Sequence, residues 1–148
     1  MSPPDLELRP AHWGDMEQVW RWNNAPDVRQ WSLSVEPIPF EDHERWFRGR
    51  LEDPEHRCWI AEMNGRDVGV VRIDGAGVVS IALAPNARGH GVGTRALGLA
   101  CTREARTLEA WIAEDNRASV RCFERCGFVL RGVMHQADRR FGRYERAP

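Results

Sequence analysis

The residues of this chain best suited to chemistry form a loop of alternating glycines, Arg88-Gly89-His90-Gly91-Val92-Gly93. An apolar stretch, residues 78–83, leads into this loop, and a helix is expected to begin at its end. Glycine lets the backbone turn tightly and lets a ligand approach without meeting a Cβ atom. The first N–H groups of a helix lack partners within the helix and attract anions. The loop therefore predicts a phosphate or pyrophosphate held by main-chain amides.

The spacing of the glycines narrows the kind of phosphate site. The pattern is G-x-G-x-G, which differs from the G-x-G-x-x-G of dinucleotide-binding folds. No Gly-Lys-Ser/Thr triplet accompanies it, so the sequence lacks the lysine and hydroxyl that a nucleotide triphosphatase uses. Taken alone, the glycines also fit a tight turn that binds nothing, and both interpretations stay open at this point.

The composition of the chain limits its partners. Its 148 residues are 42% hydrophobic and 29% charged, which is ordinary for a globular protein long enough to bury a core. Lys and Arg number 21 against 22 Asp and Glu, so no basic field indicates nucleic acid or a membrane surface. No apolar run approaches the roughly 20 residues that span a bilayer. We expect one domain, residues 1–148.

The N-terminal residues, the cysteines and the histidines bear on cellular location and metal binding. Residues 1–5 lack the cationic and apolar regions of a signal peptide, so we expect a cytoplasmic protein. The four cysteines include no C-x-x-C pair and the five histidines are scattered, so no metal site is predicted. Cys122 and Cys126 stand four residues apart and are expected to be a pair of buried thiols on one helix.

Periodicity indicates the elements that position the glycine loop. Residues 6–9 alternate and predict a short strand, and apolar residues at helical spacing predict a helix from Trp13 to Asn23. Residues 22–26 end in proline and indicate a helix stop. Residues 27–39 are irregular and resemble a binding loop, and residues 40–51 predict a second helix.

Strands are predicted in the middle and at the end of the chain. Residues 58–63 and 67–73 are joined by Asn64-Gly65, a strong hairpin signal, and residues 78–83 complete an antiparallel meander. A helix is predicted from about Gly91 to Arg106, a strand over residues 108–112 and a helix over residues 118–126 that Gly127 ends. Residues 128–134 and 141–146 predict two closing strands. The right-handed crossover through the glycine loop makes two central strands parallel.

Two motifs in this order resemble those of the GNAT superfamily of N-acetyltransferases, over nearly the whole chain. Residues 88–93 match the R/Q-x-x-G-x-G/A loop of that family, which binds acetyl-coenzyme A. Residues 116–128 match its N-x-x-S-x-x-x-[YF]-E-x-x-G-F signature. The resemblance implies an α/β fold with a single mixed sheet of six to seven strands and about four helices on its two faces. In that sheet the N-terminal strands form an antiparallel meander, and the central splayed strands form the parallel pair.

The N-terminal half is similar to one branch of the superfamily, which acetylates amino-sugar nucleotides in surface-polysaccharide synthesis. Residues 8–10, 20–23, 28–31 and 43–46 carry this likeness, although the family's Trp-Arg-Asn stands here as Trp-Arg-Trp-Asn. Related spacing occurs in branches that act on ribosomal proteins, polyamines and antibiotics. The implied acceptor pocket, with arginines for a diphosphate and a tryptophan for stacking, consists of Arg21, Asn23, Arg29, Trp31 and Ser32.

The resemblance also implies how acetyl-coenzyme A would be held. The strand of residues 80–83 would splay from that of residues 108–112, and main-chain groups of Ile81 and Leu83 would pair with the pantetheine amides. Amides of residues 88–94 would hold the pyrophosphate at the helix N-terminus. Asn116 would contact the coenzyme near the thioester, and it also fits a helix N-cap. The implied contacts are Ile81, Ala82, Leu83, Arg88, Gly89, His90, Gly91, Val92, Gly93, Thr94, Asn116, Ser119 and Phe123.

The implied reaction is direct attack of a neutral amine on the thioester within a ternary complex. The Leu83 N–H would stabilise the oxyanion. Family members often use a tyrosine where this chain has Phe123, and Tyr144 on the last strand is the one tyrosine present. The candidate catalytic residues are Glu62, Asp74 and Ser80, with His43 as a further candidate base.

The sequence thus predicts an acetyl-coenzyme A-dependent N-acetyltransferase that acts on a primary amine of a small molecule. A catalytically silent acyl-coenzyme A-binding regulatory module is the alternative from another class. A protein N-terminus or a polyamine is an alternative acceptor. No nucleic-acid or membrane partner is expected, and the oligomeric state stays open, with a homodimer as one option.

Overall fold

The computed structural model describes residues 5–148, so the predictions that concern residues 1–4 lie outside the described part of the chain. Within that part the strands are β1 (Leu6–Pro10), β2 (Arg57–Met63), β3 (Arg66–Ile73), β4 (Val79–Leu83), β5 (Leu108–Ala113), β6 (Val129–Gln136) and β7 (Arg139–Arg146). The helices are α1 (Met16–Asn24), α2 (Pro26–Arg29), α3 (Phe40–Glu52), α4 (Val92–Thr102) and α5 (Arg117–Arg125). Among residues 5–148 no helix has the length and apolar character needed to cross a bilayer.

The strands hydrogen-bond as two antiparallel sheets within residues 5–148. β1-β2-β3-β4 form one sheet and β5-β7-β6 form the other. One parallel bridge, between Val78 and Glu109, joins them, and the Glu109 N–H donates to the Gly77 carbonyl at 2.9 Å. The α/β fold class is confirmed, but the predicted single sheet is divided at the parallel pair. The division occurs because β4 and β5 diverge immediately after this bridge.

The first sheet lies between helices on both faces. Cross-strand partners share a face, so Ser80 lies beside Arg72, and Ile81 lies beside Val71 on the opposite face. Helix α4 packs on the face of Ile81, since a Cβ on its Gly93 would stand 4.0 Å from the Ile81 Cδ1. Helix α3 covers the face of Arg72 and is joined to α1 by a 2.9 Å hydrogen bond between the His43 ring and the Met16 carbonyl.

Local sequence signals account for most element boundaries. Asn64 and Gly65 both have positive φ and form the predicted hairpin between β2 and β3. The helix expected to run to Arg106 ends at Thr102, and the helix α2 occupies the start of the segment expected to be irregular. The predicted stop signal of residues 22–26 is confirmed, since α1 ends at Asn24, and Pro26 is then the first residue of α2. Proline at that position lacks only an N–H that would be unpaired anyway.

Candidate active site

A continuous cavity of about 1280 Å³ lies where β4 and β5 diverge. Its walls come from α2 and the following loop, from α3, from β4 and β5, from the glycine loop and from α5. Ligand pockets usually hold roughly 300–1,000 Å³, so this cavity has room for two reactants side by side. We call the part beside the glycine loop and α5 the cofactor end, and the part beside α3 and residues 27–38 the acceptor end.

The split between β4 and β5 leaves main-chain groups of β4 facing the cavity. The Ala84 N–H donates to the Val68 carbonyl at 2.9 Å, and the Asp74 N–H donates to the Val78 carbonyl at 3.1 Å. Main-chain bonds across an antiparallel pair alternate, so the bonds of Ser80 and Ala82 also point toward β3. The N–H and C=O groups of Ile81 and Leu83 therefore point into the split, and an extended ligand could pair with them as a strand does.

The glycine loop is shaped for a ligand at the start of α4. Gly89 has φ +80° and Gly91 has φ +74°, a left-handed conformation that costs side-chain-bearing residues energy. Apart from the residues adjacent in the chain, no atom of residues 5–148 lies within 4 Å of a Cβ built on either glycine, so the space above the loop is open. α4 is eleven residues long, and its unpaired N–H groups and dipole face that space. The residues present therefore fit a pyrophosphate.

Arg88, the first residue of the glycine loop, contacts groups at both ends of the cavity. Its guanidinium forms an ion pair with Asp27 on α2 and donates to the Leu83 carbonyl at 3.2 Å. Gly93, in the first turn of α4, lies in van der Waals contact range of both β4 and α5, because its Cβ would stand 3.4 Å from a Leu83 methyl and 3.6 Å from the Cys122 sulfur. The loop is thus held against both β4 and α5.

Most of the predicted coenzyme contacts line the cavity, and two do not. His90 is exposed and turned away from it, whereas the Val92 side chain is buried in the core. The Asn116 side chain caps α5 by accepting the Ser119 N–H at 3.3 Å, and it also faces the cavity. The lining positions are Ile81, Ala82, Leu83, Arg88, Gly89, Gly91, Gly93, Thr94, Asn116, Ser119 and Phe123.

Phe123 occupies the position at which the family resemblance implied a tyrosine in other members. It is buried, lines the cavity and stacks edge-on against Phe128 with ring centroids 5.0 Å apart. Tyr144 is also buried, on β7 opposite Ala110 and Leu130, and does not line the cavity. Neither position places a phenol at the split.

Four of the five predicted acceptor residues line the acceptor end: Asn23, Arg29, Trp31 and Ser32. Arg21 does not, because it points outward and pairs with Glu17 at 2.8 Å. The Arg29 guanidinium donates to the carbonyls of Ser34 and, at 3.0 Å, Glu36. Arg29 therefore shapes the loop that follows α2.

The C-terminal hairpin also fixes this loop. Arg139 on β7 donates to the Ser32 carbonyl at 2.8 Å and to the Gln30 carbonyl at 2.5 Å. At the far end of the loop, the Asn24 side chain accepts the Ile38 N–H at 2.7 Å. The wall of the acceptor end is thus held by groups from distant parts of the chain.

The candidate catalytic residues are dispersed. Glu62 lies on β2 outside the cavity lining, where Arg9 pairs with it at 3.1 Å. Asp74 is also outside the lining, and its carboxylate accepts the N–H groups of Ala76 and Val78, both at 2.9 Å, to close a turn. Ser80 lines the cavity on β4. The structure therefore leaves Ser80 as the one member of this set at the split among the described residues.

His43 lies at the cavity wall but is poorly suited to act as a base. It is buried, stacks on Phe47 with centroids 5.7 Å apart, and uses one ring nitrogen to bond the Met16 carbonyl. Burial lowers its pKa, which keeps the ring neutral at pH 7. Its observed contacts account for it as a structural histidine that joins α3 to α1.

Sequence reasoning missed Arg72 and Trp46 as cavity residues. The Arg72 guanidinium lies over the Trp46 ring, 4.7 Å from its centroid, and both residues line the acceptor end. A usable signal was present, since Arg72 is a single cation within an otherwise apolar strand, Val68 to Ile73.

Comparisons with known proteins agree with this geometry. A family profile described as an acetyltransferase (GNAT) domain matches residues 5–129. An uncharacterised N-acetyltransferase of Methanocaldococcus jannaschii is 28% identical over 115 residues, which are 64% of this chain and 51% of that protein. The chain thus spans about half the length of that relative.

Two further proteins match over most of their length. The Bacillus subtilis protein YwnH, provisionally named as a phosphinothricin acetyltransferase, is 29% identical over 143 residues, 86% of each chain. The solved spermidine N-acetyltransferase of Vibrio cholerae, in complex with CoA and spermine, superposes with a TM-score of 0.82. That match covers 95% of this chain and 94% of that one at 20% identity, and it shows a shared fold.

Proposed function

Because the chain belongs to the GNAT family of acetyltransferase domains, whose cosubstrate is acetyl-coenzyme A, we propose that it acetylates a primary amine of a small molecule. The observation that carries the proposal is the split between β4 and β5 beside the glycine loop. One cavity there presents main-chain groups for an extended ligand, helix N–H groups for an anion, and a second pocket for an acceptor.

The cofactor end has a distinct task for each of its elements. Acetyl-coenzyme A, when bound, supplies the acetyl group as a thioester. The main chain of Ile81 and Leu83 orients its extended arm, and the amides after Gly91 hold the pyrophosphate. The Leu83 N–H points into the split, where it can donate to an oxygen that gains negative charge during attack. Asn116 lines the same wall.

The acceptor end must deliver an uncharged amine. The amine lone pair forms the new C–N bond, the C–S bond breaks, and the proton lost by the amine leaves to solvent while the thiolate gains one. Ser80 is the polar side chain of β4 in the cavity lining and can position a water for this transfer. A thiolate is a good leaving group, so a reaction begun by a neutral amine requires little further acid–base help.

The sequence resemblance suggests a more specific acceptor, an amino-sugar nucleotide. Its support in the structure is Trp31, which lines the acceptor end and could stack on a base or sugar. Arg29 is already bonded to loop carbonyls, and Arg21 faces away, so neither guanidinium is placed to receive a diphosphate. Phosphinothricin and spermidine, named for the relatives above, are the other acceptors to test.

A catalytically silent acyl-coenzyme A-binding module is the second candidate. Two observations favour it: Phe123 supplies no hydroxyl, and the carboxylates of Glu62 and Asp74 lie outside the cavity lining. In that case the cofactor end would bind acyl-coenzyme A, and the protein would act as a regulatory module and not as an enzyme.

Free-thiol release from acetyl-coenzyme A separates the two candidates. The protein would be mixed with spermidine, an aminoglycoside, an amino-sugar nucleotide, phosphinothricin and α-amino acids, and products would be verified by mass. We expect amine-dependent thiol release and an acetylated product with at least one amine. Coenzyme A binding by calorimetry without turnover across the panel would support the silent module, and absence of binding would refute both.

A further inference from the structure

We propose that Arg72 binds an anionic group of the acceptor, so that the substrate is a compact amine with a carboxylate or similar anion close to its amino group. This inference rests on the proposed function, because it specifies the acceptor of the same site. It concerns a side chain of β3 that lies outside the set of predicted coenzyme contacts. Four features of the structure lead to it.

The first feature is that Arg72 has no anionic partner. Within residues 5–148 its guanidinium forms neither an ion pair nor a hydrogen bond, and its contact is the face of Trp46. The nearby carboxylate of Asp74 is used by two N–H groups of its own turn. Arg72 is half-buried, and a cation partly withdrawn from water without a counter-charge is less stable than a paired one. Arg72 lines the cavity, so the missing partner can come from a ligand.

The second feature is its surroundings. Cys58 and Ser80 are the cross-strand neighbours of Arg72 and share its face of the sheet, while Trp46 covers it from α3. Burial lowers the pKa of Arg72, yet an arginine remains a cation at neutral pH. Its planar fork of donors matches a carboxylate or phosphonate in a bidentate geometry. The stacked tryptophan holds that fork in one orientation.

The third feature is the charge balance of the acceptor end. The carboxylates among the cavity-lining residues are those of Asp27 and Asp42. Asp27 is paired with Arg88, and Asp42 is exposed and paired with Arg45 at 2.7 Å. A polycationic acceptor would need free carboxylates and would meet the charge of Arg72 instead. This balance favours an acceptor with negative charge.

The fourth feature is the position of Arg72 beside Ser80, the polar side chain of β4 that lines the cavity. Ser80 lies two residues beyond Val78, where β4 and β5 part, and it is the register partner of Arg72. Such partners have Cα atoms about 4.5–5.5 Å apart. An amine held beside Ser80 therefore places its anion on Arg72 only if a few bonds separate the two groups. In an amino-sugar nucleotide the sugar ring stands between amine and diphosphate, so that acceptor fits less well.

A pair of substrates tests the inference without altering the protein. α-Amino acids and aminophosphonates would be compared with their methyl esters, alongside spermidine and an amino-sugar nucleotide, by thiol release. We expect kcat/KM for the best free acid to exceed that of its ester by about 10- to 100-fold, the value of one charge-assisted contact. Turnover of spermidine or the nucleotide with no preference for the free acid would overturn the inference and leave the proposed function standing. Turnover of no amine would refute the function itself.

A variant then assigns the effect to Arg72. Arg72→Met should raise KM for the free acid by about 10- to 100-fold and change KM for the ester little. Arg48→Met is the matched control, since Arg48 lies over Trp13 at 5.1 Å but does not line the cavity. Thermal unfolding would establish that both variants are folded. Equal losses for acid and ester in Arg72→Met would show that Arg72 only supports the fold and would overturn the assignment.

Discussion

Replacing Gly91 by alanine tests the cofactor end through the backbone alone. Gly91 precedes α4 with φ +74°, and among the described residues other than its chain neighbours nothing lies within 4 Å of the position where the new methyl group would stand. The substitution therefore adds no clash among the described residues. It acts because alanine disfavours the left-handed conformation in which the loop presents its amides.

The size of the effect follows from that conformation. A left-handed alanine costs about 1–2 kcal/mol relative to glycine. If the loop keeps its shape, the thermal midpoint should fall by about 2–8 °C, as expected for a chain of this size. If the loop relaxes instead, the strain disappears but the amides turn away, and coenzyme A affinity should fall by about 5- to 30-fold. Either result, or a mixture of the two, follows from the proposed geometry.

Gly98→Ala provides the control. Gly98 lies within α4, also has nothing within 4 Å of its built Cβ, and has a normal helical φ. Alanine there should stabilise the protein by about 0.5–1 kcal/mol and leave coenzyme A binding unchanged. Thermal unfolding and calorimetric titration with coenzyme A would be measured on both variants. Equal midpoints and equal affinities for Gly91→Ala and Gly98→Ala would refute the assignment of the loop as a conformationally restricted anion site.

Two further predictions concern stability and pH. Burial raises the pKa of Asp15, but hydrogen bonds from Arg9 and the His12 N–H outweigh it, so the folded pKa is below the usual value. The free energy of unfolding should therefore fall as pH drops below about 4. Asp15→Asn should cost about 3 kcal/mol or less of stability at pH 7 and should remove this acid-dependent loss in denaturation curves. Burial lowers the pKa of His56 to about 4, and neither ring nitrogen has a hydrogen-bond partner within residues 5–148. The free energy of unfolding should therefore decline as pH falls from about 6.5 to about 4, because the unfolded chain takes up the proton first. His56→Leu should flatten that slope in pH-dependent thermal unfolding, and an unchanged slope would contradict the placement of His56.

Short-range signals determined much of the fold. The Asn64-Gly65 dipeptide predicts its hairpin, because both residues tolerate the positive φ that a two-residue turn needs. The alternating glycines predict the loop before α4 for the same reason. The stop signal of residues 22–26 is confirmed, since α1 ends at Asn24; what the local pattern did not predict is that Pro26 also begins α2, because proline fits both the end of one helix and the first position of the next.

In the candidate site, too, the features set by local backbone geometry were predictable and those set by side-chain placement were not. Its cofactor end consists largely of main chain from one continuous segment, residues 81–94, whose geometry is set by glycine, proline and strand alternation. Such geometry can be inferred from the sequence. Side-chain positions could not be inferred in the same way: His90 and Val92 belong to the motif, yet the His90 side chain is exposed and the Val92 side chain is buried in the core, so any contact of theirs with the pyrophosphate stays a prediction about their main-chain N–H groups.

The sequence by itself thus determined the family, the α/β fold class and the position of the glycine loop, because these depend on local backbone preferences and on short motifs. The tertiary structure alone decided which polar groups share the cavity. It removed Arg21, Glu62 and Asp74 from the cavity lining by giving each another partner or another face. It brought in Arg72, a residue of β3, through its register with Ser80 and its contact with Trp46. Side-chain partners of this kind are distant in sequence, and only the packed sheet and helices define them.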